Sequence, residues 1–159
     1  PLGPFYNEHR DRRDLFATAN HESISVLDRR SDVRFDEGWF EPNVLPPVAR
    51  WMGRRGRISF HARELNEISL DLTTHIPDLH QQPLDVELRL NDQLLSCCSL
   101  FRNGWLTLRV EVPAELRTAD DYLLELRASR TWQPRAHTED PDQRDDREIS
   151  IAVCNLVVQ

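Results

Sequence analysis

An all-β fold, an antiparallel β-sandwich of the jelly-roll kind with about eight strands, is predicted by three features of this 159-residue sequence. Apolar and polar residues alternate in short runs such as Asp85-Val86-Glu87-Leu88-Arg89-Leu90. Glycine, proline or paired Asx residues break the chain between those runs. No apolar period of 3.6 persists beyond residue 20, apart from a possible turn at Ala114–Leu116. Many short strands with one buried face each close most simply into two packed sheets.

Taken in order, the chain opens with Pro1-Leu2-Gly3, which reads as the remnant of a cleaved tag on a piece of a longer protein. Residues 1–22 are expected to be that remnant plus a leader or linker, and residues 23–159 the sandwich domain. Within the leader, Glu8–Arg12 and Arg10–Asp14 have helical pair spacing, so a short helix is one reading and a linker the other. Ser23 to Asp28 alternates as a first strand. Gly38-Trp39-Phe40, bracketed by Gly38 and Pro42, is a turn or strand edge, and Arg54-Arg55-Gly56 is expected to be a turn before the alternating Arg57–Ala62. Glu67–Thr73, Asp85–Leu90, Gln93–Ser96, Gly104–Val112, Tyr122–Ala128 and Ile149–Val157 follow as strands. Asn91-Asp92 supplies a two-residue hairpin turn between the second and third of these.

The formal net charge of −7 argues against nucleic acid as the main partner, because phosphate recognition requires a basic face. All 20 basic residues are arginine, which excludes a Schiff-base lysine and a P-loop lysine from this chain. No run approaches the roughly 20 apolar residues of a membrane-spanning helix. Cys97, Cys98 and Cys154 give no disulfide framework. Three free thiols and a cytoplasmic setting are expected, with a bridge from Cys154 to one of the pair as the alternative.

Candidate chemistry lies in two groups. Of the four tryptophans, Trp51 and Trp105 continue strand alternation and read as core, whereas Trp39 and Trp132 sit beside glycine or proline and could stack on a sugar ring. The stretch from Glu139 to Glu148 holds six carboxylates with Arg144 and Arg147 between them. It reads as a solvated loop, as a salt-bridged clasp closing on Arg130 or Arg50, or as a calcium loop without EF-hand spacing. No Gly-x-Ser-x-Gly elbow, phosphate loop or His-Glu-x-x-His motif occurs, so an enzyme is not expected, nor is any cofactor.

Gly38-Trp39-Phe40, Arg50-Trp51-Met52-Gly53, Gly104-Trp105, Ser129-Arg130-Thr131-Trp132-Gln133-Pro134 and Asp145-Asp146-Arg147-Glu148, in that order, resemble a β-sandwich accessory domain found beside bacterial glycosyltransferases and other polysaccharide-biosynthesis proteins. Ile149-Ser150 departs from the Leu-Gly common there. The resemblance covers residues 23–159 and implies a setting, surface-glycan assembly, without implying a reaction. Together these readings lead to the expectation of a non-catalytic module that binds or positions carbohydrate through Trp39, Trp132, Arg130, Asp145 and Asp146. The competing expectation is a domain that docks a neighbouring glycosyltransferase or forms an oligomer without binding sugar.

Overall fold

Two five-stranded antiparallel sheets pack face to face in the computed structural model, which describes residues 22–24, 33–43, 48–137, 140 and 142–159. The strands are β1 (Glu22–Ile24), β2 (Arg34–Phe35), β3 (Arg50–Trp51), β4 (Arg55–His61), β5 (Glu67–Thr73), β6 (Leu84–Leu90), β7 (Gln93–Leu100), β8 (Leu106–Glu111), β9 (Asp121–Ala128) and β10 (Ala152–Val158). One sheet runs β1-β10-β5-β8, with β3 also pairing with β10; the other runs β2-β4-β9-β6-β7. The leader, the remainder of the first expected strand to Asp28, Pro46-Pro47 and Glu139 lie outside the described residues.

The alternation read from the sequence is the pattern that packs. Ile58 and Phe60 of β4, Val86, Leu88 and Leu90 of β6, and Tyr122, Leu124 and Leu126 of β9 point inward and are buried. They meet Ile68, Leu70 and Leu72 from β5, so one continuous core fills the sandwich. Asn91 and Asp92 take positive φ values of 47° and 67°, the turn conformation that matches strand twist in a two-residue hairpin. Ala114–Leu116 forms a single 3-10 turn after Pro113.

Besides shifts at the ends of β7 and β8, three local features differ from the sequence reading. Arg55-Gly56 is not a turn but the start of β4, because the glycine lets the Trp39 ring lie against the strand: a Cβ there would stand 2.8 Å from that ring. The run before β10 stops alternating at Ile149, which makes a single bridge to Trp132. Within β10 the register with β5 shifts between Cys154 and Val157, where Asn155 has φ 52°. The Asn155 amide then donates to the buried Asp71 carboxylate at 2.7 Å, and Thr107 Oγ1 donates to its other oxygen at 2.8 Å.

All three cysteines are free, so the bridge from Cys154 is not formed. Cys97 and Cys98 face opposite sides of β7, as strand geometry requires. Burial, helped by the neighbouring Cys97 and Asp85, pushes the Cys98 thiol up to about 11. A thiol-specific disulfide reagent at pH 8 should therefore modify exposed Cys97 in the native protein, and Cys98 and Cys154 only on unfolding. Peptide mass mapping reads the order, and early modification of Cys154 would contradict its burial within β10.

Candidate functional site

Strands β4, β9 and β6 of the second sheet turn their charged residues away from the core, where they form a grid. Cross-strand register sets Arg57 opposite Glu125, with Arg89 on the far side of Glu125. One pair further along, Arg55 lies opposite Arg127, with Glu87 beyond it. Glu125 is the fixed point of this grid, its side chain only 5% exposed. Arg57 Nε donates to its Oε2 at 2.7 Å, Arg127 Nε donates to its Oε1, and Arg55 Nε stands 3.8 Å from Oε2. Burial pushes the Glu125 carboxyl up, but the hydrogen bonds from Arg57 and Arg127 and the charges of Arg127 and Arg55 outweigh it, so it titrates below its ordinary value.

Above the second row of the grid opens a cleft of about 770 Å³. Glu37 and Gly38 form one wall, Arg54 and Arg55 the start of β4, Arg127 and Ser129 the end of β9, and Asp85 and Glu87 the β6 side. Gly38 belongs here for a steric reason: its φ is +96°, and a Cβ would lie 1.7 Å from the Arg55 carbonyl oxygen. Arg57 also reaches Glu37 at 2.8 Å, which ties the wall to the grid. Ser129 closes the far end, its hydroxyl accepting from the Asp85 N–H at 3.0 Å while its own N–H donates to the Asp85 carbonyl at 2.9 Å.

The five residues singled out from the sequence occupy four different places. Trp39 is half-buried under the cleft wall, edge-on to Phe35 at 5.2 Å, with its indole N–H donated to the Arg57 carbonyl at 2.9 Å. Trp132 is also half-buried and packs between the main core and a smaller cluster built on Ala49, Trp51, Ile149, Ala152 and Cys154. Arg130 turns to the loop between β5 and β6, donating from Nη2 to Asp78 Oδ1 at 2.9 Å and to the Gln82 carbonyl at 2.5 Å. Asp145 takes both Nε and Nη2 of Arg147 at 2.8 Å, and this hydrogen-bonded pair holds its carboxyl below the usual value despite partial burial. Asp146 is exposed, and its carbonyl accepts from Gln133 Nε2 at 2.7 Å.

The acidic loop thus closes on its own arginine. Arg147 lies 5.1 Å over the Phe40 ring, and Phe40 gives its carbonyl to Arg50 Nε at 2.7 Å. The clasp joins the loop to the 38–43 segment through Phe40, without a direct bond from Asp145 to Arg130 or Arg50. Among the described residues no group of three or more His, Cys, Asp or Glu side chains is placed to hold a metal ion. The cleft itself was not singled out from the sequence. Its signal was present in the outward positions of three strands, Arg55-x-Arg57, Asp85-x-Glu87-x-Arg89 and Glu125-x-Arg127, where charge falls at every second residue.

No family model and no curated relative matches this sequence. Several solved structures are similar to this chain, two of them at TM-scores of 0.50 and 0.52. The CBM27-1 module of Caldicellulosiruptor saccharolyticus, solved in complex with mannohexaose, is 8% identical with a TM-score of 0.50, over 89% of this chain and 98% of that one. The salicylyl-acyltransferase SsfX3 of a tetracycline biosynthetic pathway is 13% identical with a TM-score of 0.52; 89% of this chain is matched, but only 40% of that enzyme. The CBM36-1 domain of a xylanase from the hindgut metagenome of Trinervitermes trinervoides is 11% identical with a TM-score of 0.48, over 88% of this chain and 97% of that one. At such identities the likeness concerns the sandwich alone.

Proposed function

We propose that this domain is a carbohydrate-binding module whose ligand lies in the cleft on the outer face of the second sheet. The observation that carries the reading is the cleft itself: a concave site of about 770 Å³, lined by arginines and carboxylates held on neighbouring strands. Planar charged groups fixed at strand spacing hydrogen-bond the vicinal hydroxyls of a sugar, and a rigid sheet lowers the entropy lost on binding. The sandwich it shares with a module solved with mannohexaose supports the same reading. Trp39, beneath the Gly38 wall, positions the site from below and does not stack on ligand. The setting we propose is bacterial surface-polysaccharide assembly in the cytoplasm, with a glycan or an adjoining glycosyltransferase domain as partner and no catalytic role.

A panel of soluble glycans tested by titration calorimetry should give saturable binding to at least one member. Arg127→Ala, which empties the middle of the cleft, should weaken that binding by about tenfold or more, the effect of losing a charge-assisted hydrogen bond. Trp132→Ala should leave it nearly unchanged.

One observation favours the docking reading instead. β7 is an edge of its sheet, and its eight residues carry no charge, whereas the edge strands β2 and β8 carry Arg34, Arg109 and Glu111. Leu94 and Phe101 are 51% and 63% exposed along that side. Uncharged edges invite strand addition. No response to any glycan, together with a concentration-dependent size in solution, would replace the sugar reading with this one.

A further inference from the structure

We infer that the cleft selects acidic saccharides, with Arg55 and Arg127 gripping the carboxylate of a uronic acid residue. This rests on the reading of the cleft as a sugar site and adds the class of sugar.

The register is the first reason. Arg55 and Arg127 are direct cross-strand partners in the middle of a sheet, and like charges so placed repel unless an anion lies between or beside them. Glu125 supplies one carboxylate, but it is one pair further along β9 and already serves Arg57 and Arg127. Arg55, at 3.8 Å, lies beyond hydrogen-bond reach of it. The one buried carboxylate, Glu125, is shared by Arg55, Arg57 and Arg127, Glu87 beyond Arg127 faces Arg89, and Arg55 is left with a 3.8 Å ion pair and no hydrogen bond.

The second reason is which hydrogen-bonding groups remain. The acceptors that line the cleft are engaged within the protein: Asp85 accepts the Ser99 hydroxyl at 2.5 Å, Glu87 faces Arg89 Nε at 3.2 Å, and Glu37 faces Arg57 Nη1 at 2.8 Å. The donors are not. A guanidinium carries five N–H groups; Arg127 commits Nε to Glu125, and among the described residues neither Arg54 nor Arg55 makes a side-chain hydrogen bond. Each lining carboxylate thus already holds or faces one donor of the protein while guanidinium N–H groups stay open, and a ligand rich in acceptors and negative in charge complements those open donors. A planar carboxylate fits the guanidinium fork in bidentate fashion, which a lone hydroxyl cannot do. The chain's net charge of −7 opposes an acidic ligand only at long range, where salt screens it beyond roughly 8 Å; contacts inside the cleft are screened less.

The experiment compares a trigalacturonate with mannohexaose by calorimetry at low and at physiological salt. Trigalacturonate should bind about tenfold or more tightly than mannohexaose, and the margin should narrow as salt rises. Arg55→Gln should lower trigalacturonate affinity to about that of mannohexaose, Arg54→Gln should act in the same direction, and Arg102→Gln, exposed and outside the cleft, should keep the margin. Both side chains are exposed and make no hydrogen bond among the described residues, but Arg55→Gln removes the 3.8 Å ion pair to Glu125, so an unchanged urea midpoint for each variant accompanies the comparison. Equal binding of the two oligosaccharides, or a margin that survives Arg55→Gln and Arg54→Gln together, overturns the inference while the sugar-binding reading stands. Failure of both oligosaccharides and of the wider panel overturns both.

Discussion

Gly38→Ala should destabilise the domain by about 3 kcal/mol or more and abolish binding in the cleft. Two costs coincide at this position. The backbone has φ +96°, a region that L-residues with a side chain rarely enter. An added Cβ would also stand 1.7 Å from the Arg55 carbonyl oxygen and 3.1 Å from the Gly56 Cα, and neither backbone atom can rotate away. Relief requires the Gly38–Trp39 segment to leave β4, which breaks the Gly53 N–H bond to the Gly38 carbonyl and the Trp39 indole bond to the Arg57 carbonyl, both 2.9 Å. Urea unfolding followed by tryptophan fluorescence measures the loss. A change below about 0.5 kcal/mol, the range of ordinary surface substitutions, would mean that the Gly38 turn is not placed as described.

Glu125→Ala is expected to cost about 2 kcal/mol and to change how stability depends on pH. Breaking a fully buried ion pair typically costs roughly 3–5 kcal/mol. Here the arginines left behind are about a third to a half exposed and water takes up part of their charge, so the cost is lower. Because the folded-state pKa of Glu125 lies below its ordinary value of 4.5, its contribution is fully present above that pH and is lost as pH falls through the folded value. Asp145, held low by Arg147 from an ordinary value of 3.8, acts with the same sign at lower pH. Urea midpoints of the wild type should therefore decline as pH drops below about 4.5, and those of Glu125→Ala should decline less steeply. Parallel curves would show that the carboxylate is not preferentially ionised in the fold. Glu125→Gln, which keeps the volume, separates the charge effect from packing.

How far the sequence reached is clearest where its period was strict. β6 alternates without a break over the seven residues Leu84–Leu90, and Asn91-Asp92 names its own turn, so strand, face and hairpin could all be read locally. Gly56 was misread because a glycine after two arginines has the local signature of a turn. Its actual reason is the Trp39 ring, 17 residues away, pressed against β4. Asp145 and Arg147 are two residues apart, so their pairing was within local reach, whereas the Arg130–Asp78 bond spans 52 residues and nothing near Arg130 in the chain announces it.

The sequence by itself determined that this chain builds an all-β sandwich, because side-chain alternation of period two is a local property that survives whatever the strands pair with. Only the tertiary structure decided where a site could form. Strand order β4-β9-β6 is a non-local fact, and it is that order which lays Arg55, Arg127 and Glu87 in one row and Arg57, Glu125 and Arg89 in the next. In the acidic stretch read as a solvated loop, a clasp or a calcium loop, Asp145 closes on Arg147, which lies over Phe40, and none of its described residues lines the cleft. Charges on separate strands become a site only through the register that aligns them, and register is set by long-range pairing that no single segment encodes.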